Sequence, residues 1–152
     1  MNNLFCGQLL SWMDRCCAIS AHRHCKRQVV TSTINNVTFK NAIPHGAIVT
    51  IEAKVSRAFS SSMEIIADVF LEEQRPNGAR IKANEGIFTF VAVDQLGNPI
   101  NVPPVTPETE LEKERYAAAL RRRQLALIIA GKMAPEDASE LKALFYPEAS
   151  AQ

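Results

Sequence analysis

Between residues 5 and 24, apolar side chains return every three or four positions, at Leu9, Leu10, Met13, Cys17 and Ala21, with no proline among them. That spacing predicts a helix. Two β-branched stretches follow, at residues 28–39 (QVVTSTINNVTF) and 47–55 (AIVTIEAKV). In the second, Ile48, Thr50, Glu52 and Lys54 alternate with Val49, Ile51, Ala53 and Val55, the period-two signature of a strand with one wet face. Residues 62–72 continue the alternation, with Met63, Ile65, Ala67, Val69 and Leu71 on one side. Pro76-Asn77-Gly78 supplies turn chemistry, and residues 80–94 form the last long strand before an exit turn at Asp94 to Gly97.

Prolines crowd residues 99–107 and exclude a central strand or helix there. A second helix is expected from residue 107 or 108 to about 130, with Thr106 as N-cap, Pro107 at the first position and Gly131 as terminator. A short third helix fits residues 135–146. One long helix, four antiparallel-looking strands and a helical tail make an α+β chain. The division expected is a domain at 1–106 and a C-terminal helical extension at 107–152.

Composition narrows the classes. At 152 residues with 47% hydrophobic and 22% charged side chains, the chain fits one domain with a tail and excludes a disordered regulator. Seventeen basic residues against sixteen acidic ones leave a charge of +1, so no global field recruits nucleic acid. No apolar run approaches the ~18 residues of a membrane span. The four cysteines, Cys6, Cys16, Cys17 and Cys25, lie near the start and make a poor disulfide framework. With no secretory signal, the reading is a reducing cytoplasm and free thiols.

Few residues stand out for chemistry. Asp14 sits inside the most apolar helix, where an acid is costly unless paired or facing a cavity. It reads either as a base that activates water or as an exposed acid paired with Arg15 or a neighbour. Phe5-Cys6-Gly7 opens the same helix, and free N–H groups there suit a carbonyl oxygen gaining charge; a plain helix start with a glycine is the other reading. Cys16, Cys17, His22, His24 and Cys25 do not follow zinc spacing and read as packed thiols beside a fraying end. Ser60-Ser61-Ser62 precedes a strand and reads either as a plain turn or as hydroxyls and amides placed to meet a phosphate or pantetheine. Arg121-Arg122-Arg123 is a basic run on the second helix, read as a solvated face or a phosphate contact. P-loop, GxGxxG, GxSxG and HExxH motifs are all missing.

Taken together, several collinear segments resemble the acyl-CoA hydrolase family of hotdog-fold thioesterases. They are Phe5-Cys-Gly-Gln-Leu-Leu-Ser-Trp-Met-Asp14, Val29-Val-Thr31, Phe39 with Pro44 and Gly46, Ser61-Ser-Met-Glu64, Phe88-Thr-Phe-Val-Ala-Val-Asp94, Val102-Pro-Pro104 and Pro107-Glu-Thr109. They cover roughly residues 4–123. The resemblance implies a hotdog, a curved antiparallel sheet wrapped around a long central helix, paired into a homodimer with acyl-CoA sites at the interface and assembled into a hexamer as a trimer of dimers. It implies a cytoplasmic enzyme hydrolysing fatty acyl-CoA to free fatty acid and CoA, with no metal and no cofactor beyond the CoA of the substrate.

By the same resemblance, Asp14 is the general base and the amides of Cys6 and Gly7 are the oxyanion donors. Arg57, Ser61, Ser62 and the Arg121–Arg123 run are candidate CoA contacts. Three departures stand out: the family's asparagine upstream of Phe-Gly-Gly has no counterpart in residues 1–152, Cys6 replaces a glycine, and Phe59 replaces another near the CoA segment. The missing asparagine keeps open a non-catalytic acyl-CoA-binding hotdog module, acting as a sensor or assembly protein.

Overall fold

The structure is a computed structural model that describes residues 3–72 and 78–147. The chain divides after Val105 into two compact units. In the first, helix α1 (Cys6–Cys25) is followed by strands β1 (Gln28–Thr38), β2 (Ile48–Phe59), β3 (Ser62–Glu72) and β4 (Arg80–Val93). All pairings are antiparallel, in the order β1-β4-β3-β2. The turn expected at Pro76-Asn77-Gly78 lies, except for Gly78, outside the described residues. No helix among the described residues is long and apolar enough to cross a membrane.

The core forms where the helix stripe meets the sheet face. Leu9, Met13, Cys17, Ala21 and Cys25, four residues apart, are the buried positions of α1. They pack with Met63, Ile65, Ala67, Val69 and Leu71 of β3 and with Phe88, Phe90 and Ala92 of β4. Burial is one-sided in a single chain. The resemblance implies a sheet wrapped around this helix, and within one chain Phe5, Trp12 and Ile19 are exposed and β1 is open over nearly its whole length. The sheet covers only one stripe of α1 because four strands cannot encircle a helix about 10 Å wide.

Gly86 sets how closely α1 approaches the sheet. A Cβ there would lie 2.7 Å from Met13 Cε and 2.9 Å from the Phe88 ring. Gly86→Ala is expected to cost ~1–3 kcal/mol of unfolding free energy through overpacking. A denaturant midpoint equal to wild type would show that Met13 swings aside freely.

The exit turn after β4 is held by Asp94, whose Oδ1 accepts from the amides of Leu96 and Asn98, each at 2.9 Å. These donors, the Asn98 amide foremost, hold its carboxyl below the ordinary 3.8. The unfolded chain therefore binds this proton more tightly, so the stabilisation is complete above the unfolded value and is lost as pH falls through the folded one. Asp94→Asn is expected to melt below wild type at neutral pH. The gap should close as pH drops below about 4, because the protonated aspartate then resembles asparagine. A gap that persists at low pH would assign the loss to geometry instead of charge.

In the second unit, α2 (Glu110–Ile129) begins two or three residues later than expected. Thr109, not Thr106, is the N-cap: its hydroxyl accepts from the Glu112 amide, and the Glu112 carboxylate accepts from the Thr109 amide. This reciprocal capping box satisfies two otherwise orphaned donors, which Thr106 before Pro107 does not achieve. Gly131, at φ 71°, ends the helix as expected. A 3-10 turn (Pro135–Asp137) and α3 (Ser139–Phe145) replace the single third helix. The Leu141 amide donates to the buried Gln124 side chain at 3.0 Å, fastening α3 to α2.

Candidate active site

Helix α1 starts without a side-chain cap and without an acid in its first turn. The amides of Gln8 and Leu9 both donate to the Phe5 carbonyl, at 3.1 and 3.2 Å. The two amides ahead of them, Cys6 and Gly7, have no acceptor within the helix, as its geometry requires. The helix dipole adds partial positive charge at that end. A Cβ at Gly7 would meet nothing within 4 Å, so the space around these donors is open.

Asp14 follows Gly7 by seven residues, which places both on one flank of α1, two turns and ~10 Å apart. It is half-buried, and its partner is not Arg15. The Thr31 hydroxyl donates to Asp14 Oδ1 at 2.9 Å. The sheet explains why Thr31 is there. It pairs with Phe90, and Phe90 with Met63; both of those point inward and are buried, and residues directly opposite share a face. Immediately beyond Thr31 the β1–β4 register shifts before Thr33.

The opposite flank of α1 lines a cleft of about 510 Å³, bordered by Phe5, Gln8, Trp12, Ile43, Pro44 and Val49 among others. The helix and its buried Met13 separate this cleft from Asp14. One chain therefore does not bring the cleft and the carboxylate together.

The remaining candidates occupy the end of the sheet where β2 turns into β3. The Arg57 guanidinium lies 5.6 Å from the centre of the Phe59 ring. Ser60 and Ser61 form the turn, and their carbonyls accept from the amides of Val102 and Ala92 at 2.8 and 2.9 Å. Ser61 is half-buried and Ser62 is only 7% exposed, so Arg57 and Ser61 are the more accessible of the three. Arg121, Arg122 and Arg123 are half-buried on α2, in the other unit.

All four cysteines are free thiols. Burial pushes the Cys17 thiol up strongly, with Cys16 and Asp14 adding to the effect, which makes it an inert core group. The Cys16 and Cys25 thiols donate to the carbonyls of Ile51 and Arg27, both at 3.6 Å. His22 and His24 bond the carbonyls of Arg27 and Pro103 at 2.8 and 2.7 Å. Among the described residues no three potential ligands gather for a metal.

Comparison with known proteins gives the family. The family model of the thioesterase superfamily matches residues 1–76. An uncharacterized acyl-CoA thioester hydrolase of Bacillus subtilis is 40% identical over 121 residues, covering 80% of this chain and 70% of its own. The rat cytosolic acyl coenzyme A thioester hydrolase is 35% identical over 111 residues, 72% of this chain, and the chain spans only 29% of its length. Among solved structures, an apo-hexameric acyl-CoA thioesterase aligns with a TM-score of 0.81 at 33% identity, over 86% of this chain and 83% of its own.

The acyl-CoA hydrolase of Staphylococcus aureus, solved with butyryl coenzyme A, coenzyme A and coenzyme A disulfide, aligns at 0.78 and 36% identity over 86% and 80%. That protein has also been solved with an aspartate or a threonine replaced by alanine. Those two positions are 17 apart, the separation of Asp14 and Thr31 here. On these matches the chain belongs to the thioesterase superfamily and, within it, to the hotdog-fold acyl-CoA hydrolases.

Proposed function

We propose that the protein hydrolyses fatty acyl-CoA to free fatty acid and CoA. The observation that carries this reading is the Thr31 hydroxyl on Asp14 Oδ1 at 2.9 Å. With one carboxylate oxygen fixed in place, the other is free to take a proton from water. The resulting hydroxide attacks the thioester carbonyl carbon, and the oxygen that gains charge is held by the amides of Cys6 and Gly7. Collapse of the tetrahedral intermediate breaks the C–S bond, and the departing CoA sulfur takes the proton from Asp14. Water, the thioester and this chain's own groups suffice for every step. Arg57, Ser61 and Ser62 are the proposed CoA contacts.

The assembly proposed is a homodimer that builds into a hexamer. Its support is the exposed apolar set of Phe5, Trp12, Ile19, Val30 and Ile34, together with the open β1 edge. Solved neighbours are themselves named hexameric. Pairing would bring the Trp12 cleft of one protomer toward the Asp14 flank of another, which a single helix keeps apart. The four free thiols and the cytosolic name of the rat relative support a cytoplasmic setting.

The test is CoA release from acyl-CoAs of several chain lengths, read by chromatography because the cysteines would consume a thiol reagent. Turnover is expected. Tight CoA binding with no turnover would replace the hydrolase by a non-catalytic acyl-CoA-binding module.

A further inference from the structure

A second cleft, of about 550 Å³, opens where α1 ends and β1 begins. Lys26, Arg27 and Gln28 border it on one side, and Val93, Asp94 and Leu96 on the other. The formal charges are two positive and one negative, so the balance is positive even with Asp94 ionised and held by the amides of its own turn. The side chains of Lys26 and Arg27 have no ion-pair partner among the described residues. Two exposed cations beside a roomy cleft favour an anionic ligand.

The backbone points the same way. Lys26 closes α1 at φ 57° and ψ 26°, with its amide on the His22 carbonyl at 2.7 Å. Glycine takes this left-handed position without steric cost, and helices commonly end on it. A lysine here carries backbone strain that a glycine would not, and strain of this kind collects at binding sites.

We propose that this cleft seats the phosphorylated nucleotide end of CoA, with Lys26 and Arg27 holding its phosphate oxygens. The proposal rests on the acyl-CoA reading above. Placement supports it. Gln28 pairs with Val93 and Thr31 with Phe90, so the cleft lies three strand residues, ~10 Å, from the Asp14–Thr31 pair. The pantetheine arm between the thioester and the phosphates of CoA is longer than this when extended, so the separation lies within its reach. The Ser60–Ser61 turn lies at the same end of the sheet, two strand spacings away. CoA carries phosphate at two places, the ribose 3′-phosphate and the diphosphate bridge, and both offer the oxygens that Lys and Arg recognise.

The test uses the full chain and its Lys26→Gly and Arg27→Gln variants. Adenosine 3′,5′-bisphosphate is titrated by calorimetry, and KM is measured for acyl-CoA, acyl-dephospho-CoA and acyl-pantetheine. In each variant the bisphosphate Kd is expected to rise ~5- to 10-fold, as for a partly exposed charge contact. The preference for acyl-CoA over acyl-pantetheine should shrink by the same factor. Lys26→Gly is expected to melt at or above the wild-type temperature, so weaker binding there could not be blamed on unfolding.

A loss seen with acyl-CoA but not with acyl-dephospho-CoA assigns the 3′-phosphate, and a loss with both assigns the diphosphate. An unchanged bisphosphate Kd and an unchanged preference would overturn the proposal. Should the wild type hydrolyse no acyl-CoA, the hydrolase reading falls on its own. The calorimetric comparison would still decide the cleft.

Discussion

Asp14→Asn is expected to lower kcat for acyl-CoA hydrolysis by ~10²- to 10⁴-fold, the range a positioned general base contributes. Asparagine has the size of aspartate and keeps a carbonyl oxygen for the Thr31 hydroxyl, so the local geometry at 2.9 Å can persist. What disappears is the ability to take a proton from water. The thermal midpoint should therefore stay close to wild type, since the residue is only half-buried and makes its bond at the rim of the helix. Chromatographic CoA release and a melting curve, run on the same preparation, separate the two effects. Full turnover in the variant would remove Asp14 from the chemistry while leaving the enzyme standing.

Phe88→Ala should produce the largest loss of stability. The ring is fully buried at the centre of β4, in register with Ile65 of β3 and Ile34 of β1 and packed in the cluster that includes Met13. Removing it subtracts transfer free energy and leaves a cavity that a paired sheet cannot collapse to fill. Together these cost ~3–5 kcal/mol. Urea denaturation should show a lower midpoint with an unchanged slope, since the surface exposed on unfolding is nearly the same. A loss below ~1 kcal/mol would mean that the helix settles into the space.

Much of the architecture was legible in local patterns. Leu9, Met13, Cys17 and Ala21 marked the inward stripe of α1 because a helix repeats its faces every three to four residues. Met63 through Leu71 marked the inward face of β3 because a strand repeats every two. The ends were legible where a single residue type carries the signal, as at Gly131. They were missed where two compete: Thr106 and Thr109 both resemble caps, and only Thr109 has Glu112 three residues on.

The candidate site divides in the same way. The acid and the glycine of α1 were conspicuous as residues, and their seven-residue spacing already placed them on one flank. The role of Thr31 left no local trace; it was one β-branched residue in a run of them. Its contact with Asp14 depends on pairing β1 with β4, some sixty residues away, which periodicity does not record. The cationic cleft was equally silent, since Lys26 and Arg27 face Val93 and Asp94 only once the sheet has formed.

Element types and inward faces were determined by the sequence alone, because they follow from interactions within a few residues. Register, bulges, the fit of Gly86 against Met13, the hydroxyl that holds Asp14 and the cleft beside Lys26 were decided by the tertiary structure. Each of those joins chain segments far apart in sequence, and only closure of the whole sheet over α1 brings them within contact distance.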